Sequence, residues 1–269
     1  MIYLKAILLA IVEGVTEFLP VSSTGHLILV EGFIQLSDDA EFNRAFMILI
    51  QFPAILSVVV YFWQDIWPFS GSSDQRAERL RLWKVIAIAV VPILIVGALL
   101  NDAIDKIFFA PIPVTVALLA GGIVLIVMER VLKRGEIDSL VAVSKSKALG
   151  IGLFQCMALF PGTSRSGATI FGAMVLGIDR KTAAAFSFIL AIPTMAAATA
   201  YQLLNSGFGF TGEQWGVLVV GSLVSFGVSY VSISLLMNYV QHHSFAAFGW
   251  YRVVLGIAMF IMIAIGALA

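Results

Sequence analysis

The 269-residue sequence is short of charge. Asp, Glu, Lys and Arg make up only 12% of it, about half of what soluble domains carry, too little to cover an ordinary water-facing surface. The 16 basic residues balance the 16 acidic ones. That removes the cationic surplus on which nucleic-acid binding depends, so no nucleic acid partner is expected. There is one cysteine, Cys156, which excludes an internal disulfide and any site built from several thiolates. It is expected to act as a small buried apolar residue. Of three histidines, His242 and His243 are adjacent in a polar turn, cannot share a helix face, and are expected to be solvated.

What the chain has instead is apolar length. It is 60% hydrophobic with a mean hydropathy of +1.01. Uncharged runs cover 45–64, 85–101, 107–128, 182–212, 214–241 and 253–269, and most reach the ~20 residues that a spanning helix needs. These runs predict an all-α polytopic membrane protein with six full spans, near 42–63, 85–100, 113–130, 182–204, 214–238 and 248–268. Lys5 followed by an apolar run superficially resembles a signal peptide. Glu13 and Glu17 interrupt it and no small-residue cleavage site follows, so the segment is expected to belong to the folded protein.

The most informative stretch runs from Glu13 to His26. Glu13 and Glu17 are four apart, which on a helix places them on one face, a turn from each other. Pro20 removes a donor and disfavours helical geometry at Leu19, so it should end that helix. Ser22, Ser23 or Thr24 can cap a new helix that carries His26. In a soluble chain this would be a loop between surface helices. In a bilayer, ionisable groups at depth mark a functional site by default.

The pattern returns later. Gln155 through Gly167, with Pro161, Ser164, Arg165 and Ser166, repeats Glu13 through Gly25. Ala45-Phe46 with Pro53 corresponds to Ala185-Phe186 with Pro193. The chain therefore reads as two repeats within a single integral membrane domain. The first, 1–130, has a re-entrant helix-loop-helix at 1–36 and three spans. The second, 147–269, has a re-entrant unit at 148–178 and three spans. Loop 64–84 holds four Lys or Arg (Arg76, Arg79, Arg81, Lys84) and 129–147 holds five (Arg130, Lys133, Arg134, Lys145, Lys147), against one and none in the links 101–112 and 205–213. Placing the basic loops in the cytoplasm puts the termini and the Asp105 and Asn205 turns outside. An odd number of spans per repeat then makes the repeats inverted, with the first break reached from the outer side.

Two broken helices entering from opposite faces meet near the midplane. Arg165 has 17 uncharged residues before it and 13 after, a setting suited to a counter-ion for an anionic group held through its planar fork. Ser22, Thr24, Ser164, Ser166, Gly167 and Thr169, with the helix N-termini, would complete a phosphate cradle. Two glutamates beside a phosphate call for a divalent cation between them, which makes Glu13 and Glu17 the candidate metal ligands. His26 can exchange a proton near neutral pH, and Ser23 is a candidate nucleophile or phosphate ligand. Glu31 and Gln51 lie near the site in sequence and are expected either to support the groups that bind there or merely to line the cavity. Arg252 and Glu129 lie near span ends, where snorkelling would account for them.

At these residues the chain resembles the undecaprenyl-diphosphate phosphatases of bacterial inner membranes, the bacitracin-resistance type. The likeness covers essentially the whole chain and rests on two signatures in order, Glu13-x-x-x-Glu17 with Pro20-Val-Ser-Ser-Thr-Gly-His26, and Pro161-Gly-Thr-Ser-Arg-Ser-Gly167. The resemblance implies dephosphorylation of undecaprenyl diphosphate, a lipid carrier for cell-wall polysaccharide synthesis, with Mg²⁺ or Ca²⁺ as cofactor. It places the functional positions on Glu13, Glu17, Ser23, His26 and Arg165. Membrane lipids are the expected surroundings, and a homodimer is compatible with the sequence. The architecture alone would equally suit a transporter or flippase for an anionic lipid; the paired glutamates with His26 favour the phosphatase. Ser23, His26 and a metal-bound water all remain open as the nucleophile.

Overall fold

The computed structural model describes residues 1–133, 135–206 and 209–268, the side chains of Asn101, Asp102, Asp105, Asn205 and Ser206 excepted. The acidic and amide side chains expected to mark the outer links, Asp102, Asp105 and Asn205, and the loop residue Arg134 therefore lie outside the described residues. The fold is helical: α1 (Ile2–Thr16), α2 (Ser23–Glu31), α3 (Ala40–Leu49), α4 (Gln51–Tyr61), α5 (Trp63–Ile66), α6 (Ser73–Phe108), α7 (Pro111–Val131), α8 (Lys145–Gln155), α9 (Arg165–Val175), α10 (Arg180–Ser206), α11 (Gly212–His242) and α12 (Ala246–Ala264). Six of these segments are long and apolar enough to cross a membrane: Ala40–Tyr61, Ser73–Leu100, Pro111–Val131, Arg180–Leu204, Gly212–His242 and Ala246–Ala264. This is a multi-pass membrane protein.

Several boundaries differ from the sequence expectation, each for a local reason. The stretch 73–84, expected as loop, is the start of α6. Ser72 Oγ accepts from Gln75 N–H at 3.3 Å while Gln75 Oε1 accepts from Ser72 N–H at 3.0 Å, a reciprocal cap that starts the helix early. Arg76, Arg79, Arg81 and Lys84 thus ride on its first turns. The link expected after residue 100 is also helical, because nothing stops α6 until Ala110 turns extended ahead of Pro111. The 36 residues of α6 give roughly 54 Å of helix, well beyond a ~30 Å hydrocarbon layer, so its ends project into the interfaces. The first span is broken at Ile50 into α3 and α4.

Helices pack most extensively as α7 on α12, α1 on α11, α4 on α11 and α6 on α8. Close approach is set by small residues, as expected where lipid provides no hydrophobic drive. Gly122 and Gly249 face each other across the α7–α12 contact, where an added Cβ on either would come within 2.8 Å of the other's carbonyl oxygen. One apolar core gathers α4, α6, α9, α10 and α11 around Phe186, Phe188 and Ile86; a second joins α1, α3 and α11 around Phe42 and Phe46. The α1–α2 and α8–α9 pairs, each interrupted by a turn, pack within this bundle.

Candidate active site

The first turn is built by local chemistry. α1 ends at Thr16, four residues before Pro20, yet Glu17 keeps helical dihedrals and its N–H bonds Glu13 O at 2.9 Å. Glu13 and Glu17 therefore share one face as their spacing requires. Ser22 sits at φ 71°, and its Oγ accepts from Gly25 N–H at 3.4 Å to open α2. The second turn repeats this. After α8 a 3-10 segment (Cys156–Leu159) leads to Gly162 at φ 92°, then to Ser164 at φ 74°, whose Oγ accepts from Gly167 N–H at 3.1 Å to open α9. Gly162 is needed for space as well as dihedral: a Cβ there would lie 2.4 Å from Val114 O. Ser22 and Ser164 are the positive-φ non-glycine residues among those described, and sparsely populated dihedrals of this kind gather at functional sites.

The two turns meet at Glu17. Ser23 Oγ donates to Glu17 Oε2 at 2.6 Å, and Arg165 Nη2 donates to Glu17 Oε1 at 3.0 Å. Ser23 and Arg165 are each the first residue of the helix their turn opens, so equivalent backbone positions reach one carboxylate from two sides. Arg165 also donates through Nη1 to Ser187 O at 3.1 Å and lies 5.8 Å over the Phe18 ring. Ser166 Oγ donates to Leu19 O at 3.0 Å, tying the second turn directly to the first. Thr169 Oγ1 lies 2.6 Å from Ser187 Oγ and 2.9 Å from Arg165 O. Ser164 Oγ and Ser166 Oγ are 3.1 Å apart, and Thr24 is partly exposed.

Unpaired groups show what the arrangement still lacks. Both carboxylate oxygens of Glu13, which is fully buried, are without a hydrogen-bond partner, and so is Arg165 Nε. An ionised carboxylate cannot stay uncompensated in such a place. Bare acceptors beside a bare cationic donor suit a bound cation together with an anion. The described residues contain no cluster of three or more His, Cys, Asp or Glu that would hold a metal by themselves. A hard cation on Glu13 and Glu17 would take its other ligands from phosphate oxygens and water, as Mg²⁺ commonly does.

His26 is 8% exposed and has both ring nitrogens engaged, Nδ1 with Ser22 O at 2.7 Å and Nε2 with Tyr251 Oη at 2.6 Å. Since Ser22 O can only accept, Nδ1 carries a proton, and Nε2 shares its hydrogen bond with the Tyr251 hydroxyl. Nothing in the local sequence pattern points to Tyr251. Arg252 and Glu129, expected at span ends as snorkelling residues, are both engaged inside the protein: Arg252 is 1% exposed, and Glu129, half-buried with its side chain 4% exposed, accepts from Arg180 and from Phe245 N–H. The available signal for Arg252 was its isolation, as no other Asp, Glu, Lys or Arg follows Glu213. Ser187 was likewise not singled out; Gln155, matched to Glu13 by the repeat, is 0% exposed with Nε2 unpaired. Cys156 is only half-buried, Glu31 and Gln51 are partly exposed, and His242 and His243 are exposed. A cavity of ≈ 500 Å³ opens at the basic-loop end of the bundle, lined by Phe62, Arg79, Asp138 and Lys181 among others. Phe62 lines this cavity and packs on Phe188, which packs on Phe18 beneath Arg165, with successive ring centroids 6.5 and 5.4 Å apart.

Fold and site together define a multi-pass helical membrane protein with a buried carboxylate–hydroxyl–guanidinium cluster held by two broken helices. Residues 6–258 match the family described as bacitracin resistance protein BacA. The chain is 50% identical over 257 residues to undecaprenyl-diphosphatase 1 of Clostridioides difficile, covering 95% of this chain and 94% of the relative. It is 46% identical over 265 residues to the undecaprenyl-diphosphatase of Fusobacterium nucleatum, covering 96% and 99%, and 45% identical over 268 residues to that of Enterococcus faecalis, covering 97% of each. The chain belongs to the BacA family.

Proposed function

We propose that this protein hydrolyses undecaprenyl diphosphate to undecaprenyl phosphate and orthophosphate, returning the lipid carrier to cell-wall synthesis and conferring bacitracin resistance. The observation that carries the reading is the convergence of Ser23 and Arg165 on Glu17, in a chain close to half identical to undecaprenyl-diphosphatases over nearly its full length. Phosphate release from undecaprenyl diphosphate by the purified protein in detergent tests it. Movement of intact lipid diphosphate across vesicles without phosphate release would favour the flippase reading instead.

The contacts support Ser23 as the nucleophile, Glu17 as its base and Arg165 as the anion clamp. Ser23 Oγ attacks the terminal phosphorus and passes its proton to Glu17; the bridging P–O bond breaks and undecaprenyl phosphate leaves. Water then attacks the phosphoserine, the P–Oγ bond breaks, and Glu17 returns its proton to Ser23 while the proton lost by water stays on the departing phosphate. Arg165 Nε, unpaired and buried, is positioned to donate to a phosphate oxygen. Glu13 with Glu17 would hold Mg²⁺ or Ca²⁺, which when bound supplies positive charge against the diphosphate. With both nitrogens of His26 engaged, His26 acts as a pinned group beside Ser22 rather than as the base on Ser23.

The inverted-repeat organisation, 1–130 and 147–269, is part of this proposal, supported by the matched turns at Ser22 and Ser164. So is an active site that opens to the periplasmic side of the inner membrane, supported by the basic loops. A cysteine added to the Cys156→Ala background reports it. An impermeant thiol reagent on intact cells should label Ala110→Cys and Glu213→Cys, but not Ser73→Cys or Asp138→Cys. The reverse pattern would turn the site to the cytoplasm.

A further inference from the structure

We propose that Arg252 is a positioning residue that fixes the register between the two broken helices, and so sets Ser23 against Arg165. The inference rests on the phosphatase reading of the site. Arg252 uses all five of its N–H groups on five backbone carbonyls. Nε bonds Leu118 O at 3.1 Å, Nη1 bonds Pro20 O at 3.3 Å and Thr163 O at 2.9 Å, and Nη2 bonds Ala117 O at 3.2 Å and Gly162 O at 3.0 Å. Pro20 belongs to the first turn, Gly162 and Thr163 to the second, and Ala117 and Leu118 to α7. One guanidinium on α12 thus holds three separate elements, two of which carry the candidate chemistry within three residues of its contacts. None of its acceptors is a carboxylate.

The surroundings are cut to admit the group. A Cβ on Gly121 would lie 2.2 Å from Arg252 Nη2, and one on Gly167 3.3 Å from Nη1. Lysine could not substitute, because a point charge with three donors cannot span five acceptors in a plane. The turn carbonyls that Arg252 gathers have left regular helix pairing, and unpaired carbonyls at membrane depth are costly. The same contacts that satisfy them therefore fix the distance between the turns. Small errors in that distance matter, since a displacement of roughly 1 Å can cost about 100-fold in rate.

Two variants approach the guanidinium from opposite sides. Arg252→Lys shortens its reach, and Gly121→Ala pushes it off its seat without touching any reacting group. In each, kcat on undecaprenyl diphosphate should fall about 100-fold, KM should change far less, and the double variant should be no slower than the slower single one, because both act on one contact set. Spin labels at Thr24→Cys and Phe160→Cys in the Cys156→Ala background read the register without reference to activity. A single narrow distance should broaden in both variants. An unchanged distance in either folded variant overturns the proposal, as does unchanged kcat, or a raised KM with kcat intact, which would make Arg252 a direct substrate ligand. If the parent protein releases no phosphate, the phosphatase reading fails while the distance measurement still decides the clamp. Should Arg252→Lys not fold, Gly121→Ala alone carries the test.

Discussion

The two turns share a backbone and differ in chemistry. In each, a serine at positive φ caps a helix through a glycine N–H three residues on, at Ser22–Gly25 and Ser164–Gly167. In each, the next residue reaches Glu17. At the first turn that residue is a hydroxyl donor, Ser23; at the second it is a cation, Arg165. Ahead of the turns stand Glu13 and Gln155, both 0% exposed, the acid with two unpaired oxygens and the amide with an unpaired nitrogen. A single conformational device is used twice, once to present a hydroxyl and carboxylates and once to present positive charge. Under the proposed function, the unlike copies placed face to face would give complementarity for a phosphate with a cation.

The comparison breaks most completely when the first turn loses its hydroxyl. Ser23→Ala should lower kcat by at least about 10³-fold, roughly 4 kcal/mol of transition-state stabilisation. An acid-quenched reaction should show a phosphorylated protein that this variant lacks. An adduct that survives in Ser23→Ala, or one stable only to alkaline quench, would move the nucleophile to another residue such as His26.

Making the first turn resemble the second gives the next largest effect. Glu13→Gln is nearly isosteric and copies Gln155; it should cost about 100-fold, near 2.7 kcal/mol, with dependence on Mg²⁺ or Ca²⁺ largely lost. Cation binding to the folded state raises thermal stability by mass action, so the midpoint of unfolding should rise with added cation in the parent and stay flat in the variant. Equal rises in both would take the cation away from Glu13. Within the second turn, Arg165→Lys keeps the charge and loses the fork. It should cost at least about tenfold, roughly 1.4 kcal/mol, and full turnover in this variant would leave Arg165 only its pairing with Glu17.

Much of this was legible in the sequence, and the division has a physical basis. The Glu13–Glu17 face, the interruption at Pro20 and the serine caps depend on neighbours within a few residues, so spacing alone announces them. The early start of α6 was also local, written in Ser72 and Gln75, but a reciprocal cap inside a polar loop is easily read as loop. Arg252 and Tyr251 were not legible in that way. Arg252 meets Pro20 across 232 residues and Tyr251 meets His26 across 225, and no periodicity encodes contacts at that range. A lone arginine flanked by apolar residues fits snorkelling as well as a clamp until its acceptors are seen.

The smallest effect sharpens the comparison most, because it asks what the shared serines do. Ser22 is 2% exposed and its Oγ already accepts from Gly25 N–H; Ser164 Oγ is similarly used by Gly167 N–H. If capping is their whole role, glycine is the instructive replacement. It costs only a few tenths of a kcal/mol as a cap, and it relieves a positive φ that strains a residue with a Cβ by about 1–3 kcal/mol. Against this stands the extra backbone freedom of glycine in the unfolded chain, about 0.5–1 kcal/mol. The sum for Ser22→Gly and for Ser164→Gly runs from about zero to about 2 kcal/mol stabilising, so each midpoint of unfolding should hold or rise by up to about 8 °C. Activity should stay within about threefold, well under 1 kcal/mol. A phosphate-binding hydroxyl would behave otherwise, raising KM at unchanged stability. If that happens at one turn and not the other, the shared backbone serves catalysis on one side and structure alone on the other.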